Sequence, residues 1–213
     1  MTEMSMRNMT NLLPGLLSYL LAAILSILMN VTYAQSDGPE ENPRVLMKTT
    51  DGDITIELFA GKSPITVENF LRYVDDGHYD GTVFHRVISN FMIQGGGFDA
   101  ELKEKETRGP IVNESKNKLH NTRGTLAMAR TSDPDSAAAQ FFINQRSNLR
   151  LDWSGGKDGY TVFGEVIDGM QVVDIISLTD TGSARAQTTR GPTVFQDVPS
   201  QPIVILSVTR LTP

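Results

Sequence analysis

Cysteine is absent from this sequence. That excludes disulfides, thiolate nucleophiles and cysteine-built zinc sites. It leaves the redox compartment open, because a chain without thiols suits either environment. Histidine is scarce: there are three, His78, His85 and His120, and none pairs with another at metal-motif spacing. An excess of positive charge is also missing. The formal net charge is −6, so nothing draws the chain electrostatically to nucleic acid or anionic lipid. No G-x-S-x-G elbow occurs. Gly95-Gly96-Gly97 lacks the following Lys-Ser/Thr of a phosphate loop and reads as a turn. Nothing points to a cofactor or a metal.

What is present is a chain of 213 residues, 39% apolar, enough for one well-buried core without demanding two domains. The longest apolar run lies near the start. Leu12 to Met29 is interrupted only by Pro14-Gly15 and by Ser18, Tyr19 and Ser26. Arg7 precedes the run, and Thr32-Tyr33-Ala34 follows with a small residue at each end. A basic start, an apolar middle and a small-x-small end make an export signal cut after Ala34. The competing reading is an uncleaved anchor, since the run is long enough to span a bilayer. Residues 35–43 are polar and read as a flexible lead-in, which leaves 44–213 as the folded domain.

Within that domain, Arg44–Thr49 and Ile54–Phe59 read as strands around an Asp51-Gly52 turn. Ser63-Pro64 reads as an N-cap with Pro at the first helical position. Val67, Phe70, Leu71 and Val74 then recur at helical spacing until Gly77. Further strands are expected near Thr82–Ile88, Phe91–Gln94, Thr125–Ala129, Gln140–Ile143, Thr161–Val166 and Ile203–Thr209. A second helix is expected from Asp168, with Gln171 completing a capping box and Val172, Val173 and Ile176 buried. About eight strands and two helices argue for an antiparallel barrel or sandwich. Asp99–Pro110 and Leu178–Pro202 read as long loops, of a length that tends to be functional or floppy. Asn113-Glu114-Ser115 matches a glycosylation sequon, a pattern short enough to arise by chance.

Strand alternation puts Arg86 on one face with Phe84 and Ile88, pairs Met92 with Gln94, and pairs Gln140 with Phe142. His85 falls on the opposite face, where a wall or core histidine with a satisfied ring is expected. Three strands could thus offer an arginine, two amides, a methionine and an aromatic ring to one surface. The same pattern also suits an edge arginine lying along the surface with its amides in water. Periodicity alone does not name a reaction.

The wording of four blocks does. FHRVISNFMIQGGGF (Phe84–Phe98), NTRGTLAMAR (Asn121–Arg130), AQFFINQ (Ala139–Gln145) and YTVFGEVIDGM (Tyr160–Met170) resemble the cyclophilin family of peptidyl-prolyl isomerases, in the family's order, and most of all its exported bacterial branch. The resemblance implies a mainly β fold, an eight-stranded antiparallel closed barrel capped by two helices, with a substrate groove on its outside. It implies that Arg86 is the catalytic arginine and Gln94 the amide that orients it. Phe91, Met92, Phe142 and Leu151 would form the pocket for the proline ring, and Gln140 would line the groove. Ala129 and Arg130 would pair with the peptide backbone. Arg130 stands where eukaryotic members have asparagine, Tyr160 where they have histidine and Arg150 where they have tryptophan. Trp153, three positions on, is not treated as equivalent. The expected partners are proline-containing segments of unfolded or partly folded proteins, and the expected state is a monomer in the periplasm. The alternative function is a proline-segment chaperone or scaffold that isomerises only incidentally.

Signal cleavage predicts a mature protein that begins at Gln35 and stays soluble outside the cytoplasm. Mass spectrometry of the native N-terminus checks this, and a membrane-bound chain retaining residues 1–34 would identify Leu12–Met29 as an anchor.

Overall fold

The computed structural model describes residues 41–212, so the expected signal segment and most of the lead-in lie outside it. From Asn42 onward the chain forms one unit. Alternation dominates its first hairpin: β1 (Arg44–Thr49) buries Val45, Met47 and Thr49, and β2 (Gly52–Leu58) buries Ile54, Ile56 and Leu58. Helix α1 (Pro64–Asp75) follows. Then come β3 (Arg86–Ile88), β4 (Met92–Gly95), β5 (Thr125–Met128), β6 (Phe141–Asn144), β7 (Val162–Asp168) and helix α2 (Met170–Ser177). A hairpin of β8 (Thr181–Thr188) and β9 (Gly191–Pro199) precedes β10 (Ile205–Leu211).

Eight of these strands form one antiparallel sheet in the order β10-β1-β2-β7-β5-β6-β4-β3. Its two edges are joined by a short link rather than a full ladder. Val83 bridges Val204, Phe84 N–H donates to Ile203 O, and Ile205 N–H donates to Thr82 O. The enclosed core is aromatic at its centre. Phe70 of α1 meets Tyr79, Phe141 and Phe163 at ring-centroid distances of 5.0, 5.8 and 5.2 Å. The tilted and edge-on arrangements suit the ring quadrupoles.

The helix termini differ from expectation in instructive ways. Ser63 is the N-cap residue of α1 with Pro64 in the first turn, as expected, but its side chain makes no capping hydrogen bond. Its hydroxyl donates to Val162 O, at 2.8 Å. The orphan N–H groups of Ile65 and Thr66 are taken by the carboxylate of Glu114, at 3.2 and 2.8 Å. A negative charge from far along the chain therefore does the capping, where the helix dipole favours it. Helix α2 does not begin at an Asp168–Gln171 box. Asp168 ends β7, and Gly169, at φ 88°, is the N-cap.

The largest departure is at 178–202. This stretch is not a loop but contains the β8–β9 hairpin, a separate two-stranded sheet. It is pinned to the 99–105 segment: Gln187 N–H donates to Leu102 O, Glu104 N–H to Gln187 O, and Thr189 N–H to the Glu104 carboxylate. The sequon is also given a plain structural role. The Asn113 amide donates to Pro134 O and Gly159 O, and Ser115 is buried.

Gly169 joins β7 to α2 where a Cβ would lie 2.3 Å from Asp53 O. Gly169→Ala therefore combines left-handed strain with a backbone clash and is expected to destabilise the fold by about 2–4 kcal/mol. Urea unfolding with an unchanged m-value checks this, and a midpoint equal to wild type would contradict it.

Candidate active site

The outer face of the sheet carries the site because β4 and β6 alternate strictly. Ile93, Phe141 and Ile143 point into the barrel core, while Met92 and Phe142 join a second apolar cluster with Ala127 and Val162. Both faces of β5 and β6 are consequently buried. The ladder sets the register of the outer face. Arg86 lies opposite Gln94, Gln94 opposite Phe142, Phe142 opposite Ala127, and Ala127 opposite Val162. One row across five strands thus runs from a cation through an amide to an apolar floor.

Around this row opens a groove of about 820 Å³ that is lined by all ten expected residues. Phe91, Leu151, Tyr160 and Ala129 pack against the Met92–Phe142 cluster. The Tyr160 ring meets Phe142 edge-on at 5.6 Å. Gln140 reaches the groove because Gly97 leaves it room: a Cβ there would lie 2.4 Å from Gln140 Cγ. A buried polar chain holds the pocket wall. Asn148 Nδ2 donates to Phe91 O and to Asn144 Oδ1, and Asn144 Nδ2 donates to Asn121 Oδ1. Asn121 in turn donates to the Asp152 carboxylate. Burial opposes ionisation of Asp152, but the Asn121 and His120 hydrogen bonds prevail and hold its pKa below the usual range. The charged carboxylate fixes the turn whose Leu151 O accepts from Tyr160 N–H.

Several expectations change. Phe84 does not share a face with Arg86. It is 1% exposed in the barrel core, because β3 starts only at Arg86 and the preceding backbone is irregular. His85 does not face away from the site either; it lines the groove, its ring meeting that of Phe98 at a tilt, with centroids 4.7 Å apart. Its ring is not fully satisfied, since Nδ1 finds no hydrogen-bond partner. Burial pushes the His85 pKa down to about 4, so near neutrality it is an uncharged aromatic plate. Gln94 does not hold the arginine; its Nε2 donates to Gln140 Oε1 at 3.0 Å. The ion-pair partner of Arg86 is Asp197, with Oδ2 3.7 Å from Nε. Arg130 lines the groove, but its guanidinium is engaged with the groove wall. Its guanidinium donates to the carbonyls of Gly159, Thr131 and Asp158 and covers the Tyr160 ring at 4.5 Å. Arg150 lies over the Phe91 ring at 4.8 Å.

The sequence reading missed the groove's second wall. Thr188, Thr189, Arg190, Val194, Phe195, Gln196 and Asp197 of the β8–β9 hairpin all line it. A signal was available: Thr193-Val194-Phe195 is rich in strand formers, and Thr189-Arg190-Gly191 is a turn.

Residues 44–210 match the family model for cyclophilin type peptidyl-prolyl cis-trans isomerase/CLD. The chain is 55% identical over 167 residues to a peptidyl-prolyl cis-trans isomerase of Acinetobacter baylyi, an alignment covering 78% of this chain and 85% of that protein. It is 52% identical over 168 residues to peptidyl-prolyl cis-trans isomerase B of Escherichia coli, covering 78% and 98%. A solved cyclophilin type peptidyl-prolyl cis-trans isomerase of Cryptosporidium parvum, determined in the presence of the dipeptide Ala-Pro, is 26% identical. It aligns with a TM-score of 0.64 over 80% of this chain and 99% of that one.

The division between the two apolar clusters is testable. Phe142→Ala should weaken binding of a proline-containing peptide and cost less stability than Phe141→Ala, for which about 3–5 kcal/mol is expected of a core ring. Calorimetric titration and urea unfolding of both variants decide the point. Equal losses of stability with unchanged peptide affinity would make Phe142 a structural residue only.

Proposed function

Because the chain belongs to the cyclophilin-type peptidyl-prolyl cis-trans isomerases and is itself such an isomerase, we propose that Arg86 carries the reaction and that the protein serves the folding of exported chains. An X–Pro amide resists rotation because resonance stiffens its C–N bond, with a barrier of about 18–20 kcal/mol. Uncatalysed exchange takes on the order of tens to hundreds of seconds. Shortening this to milliseconds needs roughly 7 kcal/mol of barrier reduction.

No covalent bond has to form. At the twisted midpoint resonance is lost, and the prolyl nitrogen turns pyramidal with a usable lone pair. A donor aimed at that lone pair binds the midpoint better than either planar end state, which is the requirement for catalysis. Arginine suits this role, being always protonated and presenting a rigid fork of donors. The observation that carries the proposal is the row Arg86–Gln94–Phe142. It sets one half-exposed guanidinium at the rim of an apolar pocket made by Phe91, Met92, Phe142 and Leu151. The pocket would hold the proline ring still and dry while the preceding carbonyl turns. Gln94 and Gln140, bonded to each other, form an amide pair beside the arginine. Support for work on exported proteins comes from the export pattern of residues 1–34; once that segment is removed, the mature domain would act in the periplasm as a monomer.

Arg86→Ala should lower kcat/KM by about 2–4 kcal/mol in barrier terms, the range for loss of a single transition-state donor, with little change in folding. Arg86→Lys should recover only part, because a point charge lacks the fork. A protease-coupled isomerisation assay on a short X–Pro peptide checks both variants, and near-wild-type turnover by Arg86→Ala would overturn the mechanism.

A further inference from the structure

The β8–β9 hairpin is built so as to aim one carboxylate at Arg86. Its register breaks between Gly182 and Ala184, where Val198 and Phe195 are the respective partners, so β9 bulges at Gln196-Asp197. Bulges of this kind re-aim side chains and recur beside active sites. Asp197 sits within the bulge at φ 61°, a left-handed conformation that Asp and Asn tolerate better than most residues. Its neighbour Phe195 anchors the strand by meeting Phe98 edge-on at 5.0 Å, against the wall that also holds His85. Ser183 ties the bulge across the hairpin, its hydroxyl donating to Gln196 Oε1 at 2.7 Å.

Among the described residues, Asp197 is the acidic group within ion-pair distance of Arg86, and the contact is made at Nε. That choice of atom leaves the terminal guanidinium nitrogens for a substrate. The two side chains are 45% and 41% exposed, so water screens the pair and its contribution to global stability is small. Its consequence is local. A long side chain with several rotamers is narrowed to those that keep Nε turned toward the hairpin.

We infer that Asp197 is a positioning residue for this reaction, holding Arg86 so that its terminal nitrogens face the twisting amide. This rests on the role proposed for Arg86. A donor that matters chiefly at the twisted midpoint loses turnover rather than substrate affinity when it is less well ordered. The constraint comes from the hairpin that forms the groove's second wall, not from the neighbouring amides, which bond to each other.

Asp197→Asn removes the charge and keeps a residue that accepts the left-handed backbone. In the full-length protein it should lower kcat about 3- to 5-fold, the scale of one half-exposed ion pair, and leave KM unchanged. In an Arg86→Ala background the same substitution should have no further effect, because the group it orients is gone. Asp197→Gly, which also accepts positive φ, is the second charge-free variant, and thermal melts accompany all of them. The inference is overturned by wild-type or raised kcat in Asp197→Asn, by a change confined to KM, or by a loss that persists without Arg86. It is overturned equally if neither charge-free variant folds, since Asp197 would then serve the hairpin alone. Failure of the underlying proposal looks different: Arg86→Ala itself would turn over like wild type.

Discussion

A period of two along β4 and β6 is the constraint on which the rest of this molecule depends. Ile93, Phe141 and Ile143 must enter the barrel, and their neighbours Met92, Gln94 and Phe142 must therefore leave it. A slip of one residue in β4 would send Gln94 into the aromatic core and turn Ile93 out to the groove face, so the packing of Ile93 and of Phe141 with Phe70, Tyr79 and Phe84 enforces the register. Core stability and groove chemistry are two faces of the same strands. The residues directly behind the site, Ile93, Phe141 and Ile143, are fully buried in the barrel core.

The loops then finish what the strands begin. Buried Asn121, Asn144 and Asn148 spend their hydrogen bonds on one another and on Phe91 O, so the pocket wall cannot drift from the sheet. Leaving any one of these amides unpaired would cost about 1–3 kcal/mol, which makes the network an all-or-none support. Arg130 clasps the opposite wall through three carbonyls. The hairpin adds a third fixed boundary. A rotation about an amide bond requires little chemistry and much positioning, and the structure is organised accordingly: one guanidinium, one apolar socket and several layers that keep them in place.

Most of this was legible in the sequence wherever side-chain period and wording agree. The alternation of Arg44–Thr49 and Ile54–Leu58, the apolar face of α1 and the juxtaposition of Arg86, Gln94 and Phe142 follow from spacing read with the family blocks. Three things were not legible, each for a physical reason. Phe84 and His85 precede a strand of only three residues, and alternation has no force where the backbone is irregular. Glu114 caps a helix 48 residues upstream of it at Thr66, a contact that tertiary structure alone creates. The 178–202 segment carries Gly, Pro and Thr in numbers that suggest a loop, yet it pairs with itself and docks through backbone bonds to residues 102–104. The short strand-forming run Thr193-Val194-Phe195 is outweighed by that turn-rich composition, and so Asp197 escaped notice together with the hairpin that presents it.

The central claim is that this groove lowers the barrier to rotation of a bound X–Pro amide and does not merely hold one isomer. Exchange-sensitive NMR of a short X–Pro peptide with a small amount of the protein measures this directly. Cis–trans exchange is expected to accelerate to many events per second, by the same factor in both directions, with the cis and trans populations unchanged. Saturable binding that shifts those populations while exchange stays at the uncatalysed rate would contradict it.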